Sequence, residues 1–178
     1  MKATPLMLAI CAPMLVMTGS VEAAINGQIQ ARLTISAGCE VTSGGTGGSD
    51  TAPGDFGLLD FGQQGPTWSG PINANLGTDG NRLAVTCNPS VPGFTVRIDG
   101  GVHGDGSTRK LSNGSVSIPY KLYFDAGGND AYAIDQIRNF PVATGSAVAI
   151  PVFGAVDANT SAVPAGVYTD TLMVTLDW

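Results

Sequence analysis

A chain of 178 residues with 43% apolar and only 12% charged side chains holds one domain's worth of core, and its composition is not that of a disordered protein. Eight Lys+Arg against fourteen Asp+Glu leave a formal charge of −6, which argues against a nucleic-acid binder and against an electrostatic hold on an anionic membrane surface. A single histidine, His103, removes most zinc sites and most imidazole acid–base chemistry.

In chain order, Lys2, the apolar run 6–17 and the small-residue step Val21-Glu22-Ala23 have the form of a secretory signal peptide over residues 1–23, with cleavage after Ala23 or Ala24. The run is short of the ~20 residues that a spanning helix needs, and no later segment is apolar for that length, so membrane insertion is not expected. Cys11 lies inside this run and is lost with it; Ile10 stands where a lipidated cysteine needs a small neighbour. Two cysteines remain, Cys39 and Cys87, and an oxidising compartment makes one disulfide the natural outcome. It closes a loop of roughly 49 residues, for which the chain-entropy model gives about 4 kcal/mol.

Residues 25–36 alternate without a break. Ile25, Gly27, Ile29, Ala31, Leu33 and Ile35 share one face, and Asn26, Gln28, Gln30, Arg32, Thr34 and Ser36 share the other. That is longer than the common strand of 5–6 residues. Two readings are open on periodicity alone: one long, bent first strand, or a run whose end is the domain's first strand and whose beginning reaches out. Residues 43–54 (SGGTGGSDTAPG) read as a loop. In 55–62 a D-F-G triplet repeats, and Phe56, Leu58 or Leu59, and Phe61 are expected to fill the core; a kinase reading fails for want of any nucleotide loop.

Gly and Pro recur every 8–12 residues from there on, the rhythm of an all-β sandwich or barrel. Residues 82–87 and 94–98 alternate cleanly, and 109–112 and 115–124 flank Asn113-Gly114, a two-residue hairpin signal in which both positions want φ > 0. The apolar run 147–153 is interrupted by Pro151, which marks an edge or a bulge. Almost no helix is expected. In the last run, 168–178, Leu172, Val174, Leu176 and Trp178 share one face, and Thr171, Met173, Thr175 and Asp177 the other.

No constellation for chemistry emerges. His103 stands in the Gly-rich stretch 100–106, where Asp99 and Asp105 are nearby, but a solvated turn is the simpler account. There is no G-x-S-x-G elbow and no second His for a triad. The acidic residues Asp125, Asp130 and Asp135 are spread over turns, and Gly44-Gly45-Thr46-Gly47-Gly48 has neither the Lys nor the helix of a phosphate loop. No enzyme activity, cofactor or metal is expected.

Seven motifs in order carry a family resemblance: LTISAGC ending at Cys39, LLDFG at 58–62, VTC at 85–87, FTVRIDGG at 94–101, YKLYFDA at 120–126, IPVFGA at 150–155 and AGVYTDTLMVT at 165–175. The set resembles the spore coat protein U domain family, and specifically the rod pilins of archaic, Csu-type chaperone–usher pili. The resemblance implies an incomplete immunoglobulin-like β-sandwich of Greek-key type that lacks its last strand, with Cys39 and Cys87 bonded. It implies a donor strand in 24–34 (Ile25, Gly27, Ile29, Ala31, Leu33), a sandwich domain over 35–178, and an acceptor groove bordered by Leu172, Val174, Leu176 and Trp178. It implies three partners: a periplasmic chaperone, which would hold a C-terminal carboxylate at Trp178, an outer-membrane usher, and identical or homologous pilins at the cell surface. Trp178 reads equally well as an aromatic core plug.

A period of two fixes the register of such a donor, because a one-residue slip puts Gln28, Gln30 and Arg32 into an apolar groove. Three readings compete: a structural fibre subunit in cell adhesion and biofilm formation; a secreted binding module or minor tip adhesin that grips a surface or carbohydrate; and a secreted hydrolase. Only residues 24–38 precede Cys39 after cleavage, which favours a rod or adaptor subunit over a tip with a separate binding domain. The absence of a catalytic constellation disfavours the third.

Overall fold

The computed structural model describes residues 28, 30–43, 56–76, 83–143 and 146–178. The expected signal peptide, the donor residues Ile25, Gly27 and Ile29, and most of the 43–54 loop lie outside the described residues. The chain divides into two units, 1–34 and 35–178. In the first, Ala31 and Leu33 are exposed, Leu33 at 85%.

The second unit is all β: β1 (Cys39–Ser43), β2 (Ile72–Asn75), β3 (Leu83–Cys87), β4 (Gly93–Ile98), β5 (Arg109–Ser112), β6 (Ser117–Tyr123), β7 (Arg138–Pro141), β8 (Val148–Ala149), β9 (Phe153–Val156) and β10 (Val174–Asp177). No helix occurs among the described residues. Three sheets have the orders β1-β3-β8, β10-β4-β7 and β2-β9-β6-β5, and every pairing is antiparallel. The alternation seen in the sequence explains the core. Leu83, Val85 and Cys87 of β3 and Phe94, Val96 and Ile98 of β4 point inward and are buried, while the residues between them are not. Tyr120 and Leu122 of β6, Phe140 of β7 and Val156 of β9 meet them.

Cys39 and Cys87 face each other in the β1–β3 register and are disulfide-bonded, with Cα atoms 4.0 Å apart. Pro151 interrupts its apolar run for a structural reason: β8 pairs with β3 in one sheet and β9 with β2 and β6 in another, so the chain changes sheets there. A proline N cannot donate to either ladder.

Two sequence expectations need correction, and one open choice is resolved. The long alternating run does not enter a strand at 30–38; pairing starts at Cys39, and residues 31–37 are exposed. Alternation prepares a strand, but a strand forms only where a partner supplies its hydrogen bonds. The Asn113-Gly114 hairpin has a longer loop: Ser112 pairs with Ser117, and the Asn113 carboxamide oxygen accepts from the Ser115 and Val116 N–H groups at 3.0 and 2.8 Å. Only Gly114 has a positive φ, +88°, because the side-chain cap does the work of a second left-handed residue. Of the two candidate leucines, Leu59 packs on the core and Leu58 is 76% exposed.

Candidate functional site: an open groove beside the last strand

The C-terminal run belongs to two sheets in turn. Thr169 exchanges both backbone hydrogen bonds with Ser112 at the end of β5 (2.9 and 3.0 Å). Thr171 then accepts from Val102 N–H (3.1 Å), Met173 from Asp99 N–H (3.1 Å), and β10 pairs with β4 from Val174↔Ile98 to Asp177↔Thr95. The whole run 169–177 is therefore paired along one edge. Along its other edge no strand pairs with β10 among the described residues.

At the start of this run, beside Thr169, Asp170 and the residues that lead into them, lies a cleft of about 900 Å³. One wall is 163–170 and the other is 58–68. Leu111, Ile118, Ile72 and Val156 form its floor. All four belong to the sheet β2-β9-β6-β5 and are core-facing, yet Leu111, Ile118 and Ile72 are only half-buried. The apolar row of a sheet is thus left without the layer that should cover it. The 58–68 wall is seated by close packing: a Cβ on Gly154 would come within 2.7 Å of both Leu59 Cδ2 and Phe61 Cζ, so glycine is what lets this segment lie on β9.

Leu172, Val174 and Leu176 are half-buried against the core at the second half of the run, and they are not part of the cleft lining. Their neighbours in the middle of the sheet, Phe94, Val96 and Ile98, are fully buried. Trp178 is 60% exposed. Carrying the register one residue past Asp177↔Thr95 sets it opposite Phe94, whose ring stacks on Phe140 at 5.2 Å, and all three border a second, shallower hollow of about 560 Å³ with Pro92 and Pro141. Sequence reasoning missed the cleft floor, because alternation tells which way a side chain points and not whether anything covers it.

A polar knot lies where the run changes sheets. Arg109 is buried, and its guanidinium donates to the carbonyls of Asp99 (Nε, 2.8 Å), Tyr132 (Nη1, 2.7 Å) and Ile98 (Nη2, 3.0 Å). Burial pulls its pKa down, opposed by the Tyr120, Asp99, Asp135 and Asp170 groups around it. Tyr120 donates to Asp170 Oδ2 at 2.8 Å, and burial together with that carboxylate pushes its phenol far above the usual range. The Gly-rich loop after β4 is fixed rather than loose: Gly101 N–H bonds Asp99 Oδ1 (2.9 Å), and His103 N–H bonds Asp170 Oδ1 (3.1 Å). His103 Nδ1 lies 3.4 Å from the same oxygen. Among the described residues no group of three or more His, Cys, Asp or Glu is placed to hold a metal ion, and no helix is long and apolar enough to cross a membrane.

The fold matches the crystal structure of the P pilus rod subunit PapA at 14% identity, over 78% of this chain and 97% of that one, with a TM-score of 0.51. Two longer chains match part of their length. One is from the CsuC–CsuE chaperone–tip adhesion subunit complex of the archaic chaperone–usher Csu pili of Acinetobacter baumannii (17% identity, 82% of this chain, 40% of that one, TM-score 0.44). The other is from a chaperone–tip adhesin complex of CFA/I fimbriae biogenesis (18%, 78%, 41%, TM-score 0.45). The chain thus spans less than half the length of each of these two. No functionally characterised protein matches the sequence. Residues 25–175 match the Spore Coat Protein U domain, and the chain belongs to that family. This is a family of structural, non-catalytic proteins.

Proposed function

We propose that this chain is a rod-type subunit of a surface pilus of the chaperone–usher class, exported through the periplasm and polymerised by donor-strand exchange. One observation carries the reading: the core-facing residues Ile72, Ile118 and Leu111 are only half-buried in a cleft that meets the start of the run 169–177, and among the described residues no strand pairs with the outer edge of β10. A strand laid there satisfies the backbone groups of that edge and covers the row at once. The leading run of the chain has the right form. Residues 25–33 extend over roughly 30 Å, about the length of 168–177. Burial of Ile25, Ile29 and Leu33 contributes on the order of 5–9 kcal/mol before the cost of ordering the strand, and Gly27 permits close backbone approach. Until the next subunit arrives, a chaperone strand covers the same edge, and an usher carries out the exchange; an uncovered apolar edge would aggregate.

The test uses the mature chain, 24–178. Wild-type protein should form fibres visible by electron microscopy. Ile29→Asp should abolish them, yet this variant should still bind a fluorescent peptide of residues 24–34. A wild-type chain that stays monomeric and ignores the peptide overturns the reading.

A further inference from the structure

We propose that Asp170 is a positioning residue: its buried carboxylate carries one strand across two sheets and so joins the two halves of the groove into a single acceptor track. The inference rests on the strand-exchange reading above. Thr169 is paired into the four-stranded sheet through Ser112, and 174–177 are paired into the other sheet through β4. Between Thr169 and Thr171, which accepts from Val102 N–H of the loop after β4, stands Asp170, whose side chain is 2% exposed. Its Oδ2 takes the Tyr120 hydroxyl of β6, which belongs to the four-stranded sheet, and its Oδ1 takes the His103 N–H of the loop that leaves β4, which belongs to the other. One carboxylate thus ties both sheets to the strand at the point of transfer. Asp99 repeats the device two steps on, with Oδ1 accepting from both Gly101 and Met173 N–H (2.9 Å each).

The site is built closely around that carboxylate. Gly101 has φ +79°, and a Cβ there would stand 2.0 Å from Asp170 Oδ2. A buried carboxylate without such partners is expensive, so its retention on the wall of an apolar cleft needs a reason beyond filling space. Continuity supplies one. Antiparallel to 168–177, a donor places Leu33 beside the first half, in the cleft, and Ile25 beside the second half, at β10. If the run broke at 170, each half would hold only half of the donor.

The test is a coupling measurement with the mature Ile29→Asp chain as acceptor and the labelled peptide 24–34 as probe. In the parent acceptor, Leu33→Ala and Ile25→Ala in the peptide should each weaken binding about tenfold, as expected for loss of a buried aliphatic. In the Asp170→Ala acceptor the Leu33→Ala loss should shrink to within about twofold while the Ile25→Ala loss persists, a non-additivity that general destabilisation does not produce. Asp170→Asn, which keeps the shape, still accepts from His103 N–H and can donate its amide N–H to the Tyr120 oxygen in place of accepting from it, should restore most of the Leu33 effect. Equal losses at both peptide positions in Asp170→Ala, or none, overturn the proposal. If the parent does not bind the peptide, the strand-exchange reading falls, and amide exchange then decides Asp170 by itself. Lost protection at Thr169 and Val102 with Thr175 and Asp177 unchanged supports the joint; uniform loss, or none, refutes it.

Discussion

Replacing Arg109 with Met removes a charge from the interior and keeps most of the volume, so it isolates what the guanidinium does. Three of its N–H groups reach carbonyls from two separate segments, Ile98 and Asp99 at the end of β4 and Tyr132 in the loop before β7. Each hydrogen bond to a charged group contributes about 1.5–3 kcal/mol, which sets a gross value of roughly 4–9 kcal/mol. The desolvation that lowers the Arg109 pKa opposes it. Ile98 keeps a second donor, Asp135 N–H at 2.9 Å, so it is not orphaned. The Asp99 and Tyr132 carbonyls lose this donor, and at about 1–3 kcal/mol for each buried acceptor left unsatisfied a net loss of roughly 2–6 kcal/mol follows. Urea unfolding at pH 7 reads it, with an unchanged m-value showing that the same surface is exposed. Arg109→Lys should fail to rescue, because one ammonium cannot span carbonyls that a planar fork serves. A Met variant within 1 kcal/mol of wild type would refute the assignment of Arg109 as the stitch between these segments.

Of the four tyrosines, two should resist ionisation. Burial holds the Tyr132 phenol up at about 12, and Tyr120 is raised by burial and by Asp170. Above pH 10 the unfolded chain releases these protons and the folded chain does not, so stability falls as pH rises from about 10 toward 12, by about 1.4 kcal/mol per pH unit for each group. Absorbance at 295 nm should show the Tyr120 and Tyr132 phenolates appearing only with unfolding; their titration near 10 in the folded protein would contradict their burial. Replacing Cys39 and Cys87 with Ala removes a tie of sequence separation 48. It should lower stability by about 4 kcal/mol in chemical denaturation, and a loss under about 1 kcal/mol would mean that β1 holds to β3 without it. Leu58→Asp should shift the thermal midpoint little, since that side chain is largely exposed, whereas Leu59→Asp should lower stability by several kcal/mol. Equal effects would refute the assignment of Leu59 as the anchor of the cleft wall.

Local pattern carried the strands because their inward residues are set by alternation alone: Leu83, Val85 and Cys87, or Phe94, Val96 and Ile98, would read the same in any sandwich. Pro151 and the cysteine pair were legible for equally local reasons, a missing donor and a shared compartment. The groove was not. Leu111 and Ile118 are ordinary core-facing strand residues by sequence, and only the arrangement of the sheets leaves them open. Arg109 and Asp170 were silent for a related reason. A buried charge is defined by its partners, and these come from Asp99, Tyr120, His103 and Tyr132, residues that neighbour it only after folding. The stretch 100–106 looked like a loose glycine loop because the two carboxylates that fix its backbone sit partly outside it.

Among the six strands that end their sheets, β1 and β10 make an instructive contrast for the proposed exchange. At β1 an added strand would find backbone groups, but neither of the two hollows borders that strand, so the side chains of the newcomer would have little to fill. Its inward residues Cys39 and Val41 are held against β3, by the disulfide and by the full five-residue register. At the run 169–177 the newcomer would gain both terms: the open edge of β10, and, at the start of the run, an apolar floor that its alternate side chains can cover. Backbone hydrogen bonding is the same at either edge and cannot choose between them. On the proposed exchange the choice falls to side-chain burial, which the strict alternation of the leading run suits, and a polar side chain at Ile29 should abolish assembly while leaving every backbone hydrogen bond of the exchange available.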